Sequence, residues 1–138
     1  MKLKVALTIA SPRRSPALLA ALALSAPAGG AMAHAALVSA DPAPGSVVAA
    51  APAQLRLRFS LAVRPAGSGA QLAKPDGHVV LLPRAAADAK DPHILVLALP
   101  GTMAPGRYQV RWRALSAEAH HSQGRFDFSV QPGRSAAR

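Results

Sequence analysis

Residues 107–130 alternate between apolar and polar side chains in two runs, which a short polar segment separates. The apolar members of the first run are Tyr108, Val110, Trp112 and Ala114, and those of the second are Phe126, Phe128 and Val130. A period of two residues is typical of half-buried β-strands, because successive side chains point to opposite faces. The pattern predicts a core hairpin with a polar tip.

Five shorter segments have the composition of β-strands. They cover residues 34–39, 54–60, 70–73, 78–82 and 93–99. A hairpin turn is predicted between the third and the fourth, because Pro75 presets φ and Gly77 tolerates a positive φ.

Segments rich in Pro, Gly or Ala separate these strands and are predicted to be connections or loops; they include residues 47–52, 63–69 and 83–92. Seven short strands without a convincing helix after residue 33 indicate an all-β fold. We expect a seven-stranded Greek-key β-sandwich of the immunoglobulin-like or cupredoxin-like kind.

The N-terminal segment has the three parts of a secretory signal peptide. Basic residues come first, residues 16–27 are rich in Leu and Ala, and Ala31 and Ala33 form a small-x-small cleavage signal. The apolar part is shorter than the roughly 20 residues that a membrane-spanning helix needs. We therefore predict a cleaved signal peptide at 1–33, a β-sandwich domain at 34–131 and a disordered tail at 132–138. Arg13 and Arg14 leave the twin-arginine export route open beside the general one.

Composition narrows the classes of function. The formal net charge is +10, but the arginines are spread over strands and there is one Trp and one Tyr. A nucleic-acid interface needs a basic patch with interleaved aromatic residues, so no nucleic-acid partner is expected. The chain has no cysteine, which excludes disulfides and thiolate metal ligands.

The predicted cleavage would make His34 the first residue. A terminal histidine chelates a metal through its α-amine and its Nδ1 atom, which an internal histidine cannot do. Glu118 and His120 lie two residues apart at the tip of the predicted hairpin and so share one side of an extended segment. Nitrogen and oxygen donors of this kind suit Cu(II). No arrangement of nucleophile, acid and base indicates an enzyme.

The remaining histidines have simpler explanations. His78 follows a turn glycine and His93 opens a strand, so both are expected to be exposed structural residues. His121 should point away from His120 and is either a spectator or an alternative ligand. The residues alone also leave open that His34, Glu118 and His120 are solvated polar residues.

Three stretches together resemble the CopC family of copper-resistance proteins. They are HAALVSADPAPG at 34–45, APAQLRLRFS at 51–60 and MAPGRYQVRWRALS at 103–116, followed by His120. The resemblance implies a periplasmic seven-stranded β-sandwich in which an N-terminal histidine and an Asp-Gly-His motif bind copper. It places ligand roles on His34 and His120, whereas the motif itself is Glu118-Ala119-His120 here. The methionine-rich Cu(I) segment of some members is absent.

The expected function is that of a non-enzymatic periplasmic protein that carries or sequesters one Cu(II) ion per chain. Its metal ligands would be His34, Glu118 and His120. An inner-membrane copper transporter of the CopD type is the expected partner, and the protein is expected to be a monomer. Two alternatives remain: an immunoglobulin-like interaction module with a decayed metal site, and a copper oxidase that uses an N-terminal histidine.

Overall fold

The alternating segments fold into two packed β-sheets. The computed structural model describes residues 34–133, so the predicted signal peptide and residues 134–138 lie outside the described part. Nine strands follow one another: β1 (Leu37–Asp41), β2 (Val47–Val48), β3 (Gln54–Phe59), β4 (Val63–Ala73), β5 (Val79–Leu81), β6 (Ala86–Ala87), β7 (Ile94–Ala98), β8 (Gly106–Ser116) and β9 (His121–Val130). Over residues 34–133, no helix has the length and apolar character to cross a membrane.

The order of the strands confirms the predicted fold class. The first sheet has the order β1-β3-β7-β6 and the second has the order β2-β9-β8-β4-β5. The chain leaves the first sheet after β3, returns to it for β6 and β7, and ends in the long β8–β9 hairpin of the second. Such crossings between sheets are the Greek-key connections of immunoglobulin-like sandwiches.

Three loop predictions need correction. Residues 63–69 are not a loop but the first part of β4, whose register with β8 shifts between Arg64 and Gly69. A bulge accommodates extra residues without ending a strand, and Gly67 has the positive φ of 92° that such an irregularity requires. The two-residue strands β2 and β6 lie in segments 47–52 and 83–92, and they raise the number of strands from seven to nine.

The predicted alternation determines which side chains form the core. The apolar residues of β3, β7 and β8 that face between the sheets are buried, among them Leu57, Leu95 and Val110. Burial of each side chain of this size contributes about 1.5–3 kcal/mol. Phe59 of the first sheet meets Trp112 of the second edge to face, with 5.2 Å between ring centroids.

Tyr108 connects the long hairpin to the loop that precedes it. Its ring stacks on Phe128 at 5.6 Å between centroids, and its hydroxyl donates a hydrogen bond to the Ala104 carbonyl at 2.6 Å. This is the tyrosine corner of immunoglobulin-like sandwiches. It holds the start of β8 in place, and therefore the hairpin that carries Glu118 and His120 at its far end.

Candidate metal centre

The tip of the β8–β9 hairpin is a tight turn built around Ser116. The Ser116 amide donates to the His120 carbonyl and the Ala119 amide donates to the Ser116 carbonyl, both at 2.9 Å. The Ser116 hydroxyl also accepts a hydrogen bond from the His120 amide at 3.1 Å. Ser116 is fully buried, so the backbone of His120 is fixed by the interior of the domain.

The role of Ser116 in holding this turn was not predicted from the sequence. The sequence contains an indication of this role. Alternate residues of β8 face the interior, and Ser116 is a polar residue at the inward-facing position after Ala114. A buried hydroxyl needs a hydrogen-bond partner, and a strand end is where backbone groups are free to provide one.

The segment that begins at His34 runs beside this turn. The Ser122 hydroxyl donates to the Ala35 carbonyl at 2.7 Å, and the Ser60 hydroxyl accepts from the Ala36 amide at 2.9 Å. Ala35 is buried. The segment is therefore attached to β9 on one side and to the end of β3 on the other.

These contacts bring the rings of His34 and His120 together. Their centroids lie 5.4 Å apart and their planes meet at 73°. The two residues are separated by most of the described chain, and the pairing exists only because the β1 segment and the hairpin tip meet at one end of the sandwich. Both side chains are exposed, so an ion can reach them from solvent.

The His34 ring has a further contact at the hairpin. Its Nδ1 atom lies 3.0 Å from the His121 carbonyl oxygen. A carbonyl only accepts hydrogen bonds, so Nδ1 is the donor in this contact. His121 itself is the first residue of β9, opposite Leu115.

Two imidazoles at this separation can share one metal ion. A metal–nitrogen bond is about 2 Å long, which places the metal about 3 Å from each ring centroid. Two ligands in neighbouring or opposite positions of a tetragonal site then have centroids about 4 to 6 Å apart. The observed 5.4 Å lies within that range.

Glu118 lies in the turn between the two strands and is exposed. Within residues 34–133, no three His, Cys, Asp or Glu residues are grouped closely enough to hold a metal ion. The structure thus brings two of the three predicted ligands together and does not group Glu118 with them.

The comparison with protein families shows what kind of domain carries His120, with His34 three residues before its matched start. The CopC domain matches residues 37–131. The chain belongs to the CopC family. The resemblance noted from the sequence is therefore confirmed.

Solved CopC-type structures share the fold. CopC from Methylosinus trichosporium OB3b is 35% identical, with a TM-score of 0.68 over 75% of this chain and all of that one. PcoC from Escherichia coli, described as a methionine-rich copper resistance protein, is 31% identical, with a TM-score of 0.61 over 71% of this chain and 99% of that one. Protein YobA from Escherichia coli K12 is 33% identical over 84 residues, which are 61% of this chain and 68% of YobA.

The other two histidines of the described CopC domain pair with carboxylates. His78 Nδ1 lies 3.0 Å from Asp76, and His93 Nδ1 lies 3.0 Å from Asp91. The side-chain hydrogen bond from His78 lowers the pKa of Asp76, and the backbone hydrogen bond from His93 contributes most to lowering that of Asp91. These contacts agree with the expected structural roles of His78 and His93.

Proposed function

We propose that this protein binds one Cu(II) ion in the periplasm as a carrier or sequestering protein, with His34, Glu118 and His120 as ligands. The observation that carries the proposal is the pairing of the His34 and His120 rings at 5.4 Å. Membership of the CopC family and the copper-resistance description of PcoC support copper as the metal.

CopC proteins bind copper and are not enzymes. Because the chain belongs to this family, it is not an enzyme, which argues against a copper oxidase. An inner-membrane copper transporter of the CopD type remains the proposed recipient of the metal, and a monomer remains the proposed state.

The proposed chemistry depends on cleavage after Ala33. Cleavage turns the His34 amide nitrogen into a free amine, which can close a chelate ring with Nδ1 on the same metal ion. To bind the metal, Nδ1 of His34 must give up its contact with the His121 carbonyl. The backbone of His120 remains hydrogen-bonded to Ser116. The Glu118 carboxylate, exposed in the same turn, supplies the oxygen ligand in this proposal.

Blocking the amine of His34 gives the sharpest test. We expect the processed chain to bind Cu(II) at least about 100-fold more tightly than the same chain with an acetylated N-terminus, because acetylation removes only the chelating amine. Cu(II) affinity is measured by competition with a chelator of known affinity, and the coordination is followed by electron paramagnetic resonance.

A second histidine provides the matched control. His93→Ala removes an imidazole that pairs with Asp91 and should leave the affinity and the spectrum unchanged. His34→Ala and His120→Ala should each change the spectrum. An unaltered Cu(II) signal in His34→Ala protein would reject the proposed site.

A further inference from the structure

The outer face of the second sheet carries three arginines, which we call the arginine face: Arg111 and Arg113 of β8 and Arg125 of β9. The alternation that buries Val110 and Trp112 turns the two β8 arginines to the opposite side of the sheet. The three side chains are exposed and line an open depression of about 910 Å³.

The positive charge on the arginine face is not neutralised within the domain. Arg111 pairs in register with Arg125, and like charges directly opposite each other on a sheet are destabilising. Among residues 34–133 none of the three forms an ion pair, and Arg111 Nε donates only to the Gln109 amide oxygen at 2.9 Å. The guanidinium groups therefore keep unused donors that face solvent.

The neighbouring carboxylates are engaged elsewhere. Asp127 is the acidic residue of β9, and its pKa is lowered chiefly by hydrogen bonds from Arg107, with a smaller effect from Arg125. Asp88 and Asp91 pair with Arg56 and Arg58 of the first sheet. No carboxylate of residues 34–133 forms an ion pair with the arginine face, so we expect the anion that neutralises this face to come from outside the described domain.

An apolar edge adjoins the arginine face. In register across the sheet, Leu81 of β5 lies opposite Gln71 of β4, Gln71 lies opposite Arg111, and Arg111 lies opposite Arg125. Leu81 is 74% exposed and Val79, also on β5, is 46% exposed. Two exposed apolar side chains thus stand at the end of a row of cations.

We propose that the arginine face docks on an anionic phospholipid surface. The planar guanidinium groups match phosphate oxygens through paired hydrogen bonds, and Leu81 and Val79 enter the boundary between headgroups and acyl chains. An acidic protein partner fits less well. Protein interfaces combine arginine anchors with exposed Trp or Tyr side chains, and Trp112, the aromatic residue of the lining, is buried. This inference needs no copper and is independent of the proposed metal site.

The test uses metal-free protein as cells produce it, mixed with vesicles of phosphatidylglycerol and phosphatidylcholine. Co-sedimentation measures the partition coefficient. Each basic side chain near an anionic surface strengthens binding about fivefold, so the triple variant Arg111→Gln, Arg113→Gln, Arg125→Gln should lower the partition coefficient about 100-fold at low salt. Binding should also weaken as ionic strength rises.

A charge-matched variant distinguishes the effect of the arginine face from the effect of net charge. Arg56→Gln, Arg58→Gln, Lys90→Gln removes the same number of positive charges from the first sheet and its adjoining loop. Those charges lie about a sheet spacing of 10 Å further from the membrane, which is about one Debye length at 0.1 M salt. We expect this variant to lose less than about fivefold. All variants keep the same N-terminus, so any contribution of residues 1–33 cancels.

Leu81→Ser tests the apolar edge without changing the charge, and should weaken binding about 10-fold because one leucine side chain no longer leaves water. Equal losses in the two triple variants would show that net charge alone drives binding and would overturn the proposal. So would equal binding to pure phosphatidylcholine vesicles, or no binding to anionic vesicles. Circular dichroism confirms that each variant is folded.

Discussion

Ala119 has a backbone conformation that suits glycine better than alanine. Its φ is 65°, and it is the non-glycine residue with a positive φ in the described part of the chain. In this conformation the Cβ atom approaches the following carbonyl, which costs about 1–2 kcal/mol. Ala119 directly precedes His120, so the cost falls on the turn that holds His120.

Ala119→Gly should therefore stabilise the protein. The relief of about 1–2 kcal/mol is partly offset by the greater freedom of glycine in the unfolded chain, about 0.4–1 kcal/mol. We expect a net gain of about 0.5–1 kcal/mol in the free energy of unfolding, measured by urea denaturation. Ala117→Gly is the control in the same turn, and since Ala117 lacks a positive φ it should lose stability. A loss in both variants would contradict this account.

At the scale of the element, the β8–β9 hairpin depends on a glycine beneath its tryptophan. Gly124 pairs in register with Trp112, and a Cβ atom at position 124 would lie 2.6 Å from Cζ2 of the indole. The space of the missing side chain is therefore filled by the Trp112 ring, which also contacts Phe59 of the first sheet.

Gly124→Ala should destabilise the domain by about 1–3 kcal/mol, because the indole must leave a packed position. Tryptophan fluorescence should report the displacement, since Trp112 is the single tryptophan, and urea denaturation measures the lost stability. Gly101→Ala is the matched control, because nothing lies within 4 Å of its added Cβ. An unchanged midpoint in Gly124→Ala would mean that the ring moves at no cost.

At the scale of the whole molecule, four of the six acidic residues have arginine or histidine partners that stabilise their charged form. The pKa of Asp88 is lowered chiefly by the hydrogen bond from Arg56, which measures 2.7 Å. The pKa values of Asp76, Asp91 and Asp127 are lowered in the same direction by their own partners. The folded protein thus binds fewer protons than the unfolded chain near the ordinary aspartate pKa of about 3.9.

This difference predicts loss of stability in acid. A lowered folded-state pKa contributes stability above the unfolded pKa, and the contribution is lost as pH falls through the folded value. The midpoint of thermal unfolding should therefore drop between about pH 5 and about pH 2. Arg56→Gln should reduce this dependence, whereas Arg84→Gln, which removes no ion pair found in the described chain, should not. Identical pH profiles for the two variants would contradict the role of Asp88.

The success of the fold prediction has a local cause. A half-buried strand repeats every two residues, so the series from Tyr108 to Ala114 reveals its inward face without knowledge of its neighbours. The bulged start of β4 could not be found in this way, because Pro65 and Gly67 are also typical of loops. Only the pairing of that segment with β8 makes it a strand.

The candidate metal centre also has some features that follow from the sequence and others that only the tertiary structure shows. The sequence by itself determined the all-β class, the CopC resemblance and the candidate ligands, because residue types and their spacing are local properties of the chain. The tertiary structure alone decided that His34 lies against His120, that Ser116 holds the turn and that Ala119 has a positive φ. These depend on contacts between segments distant in the chain and on the backbone conformation of one turn, which no local pattern encodes.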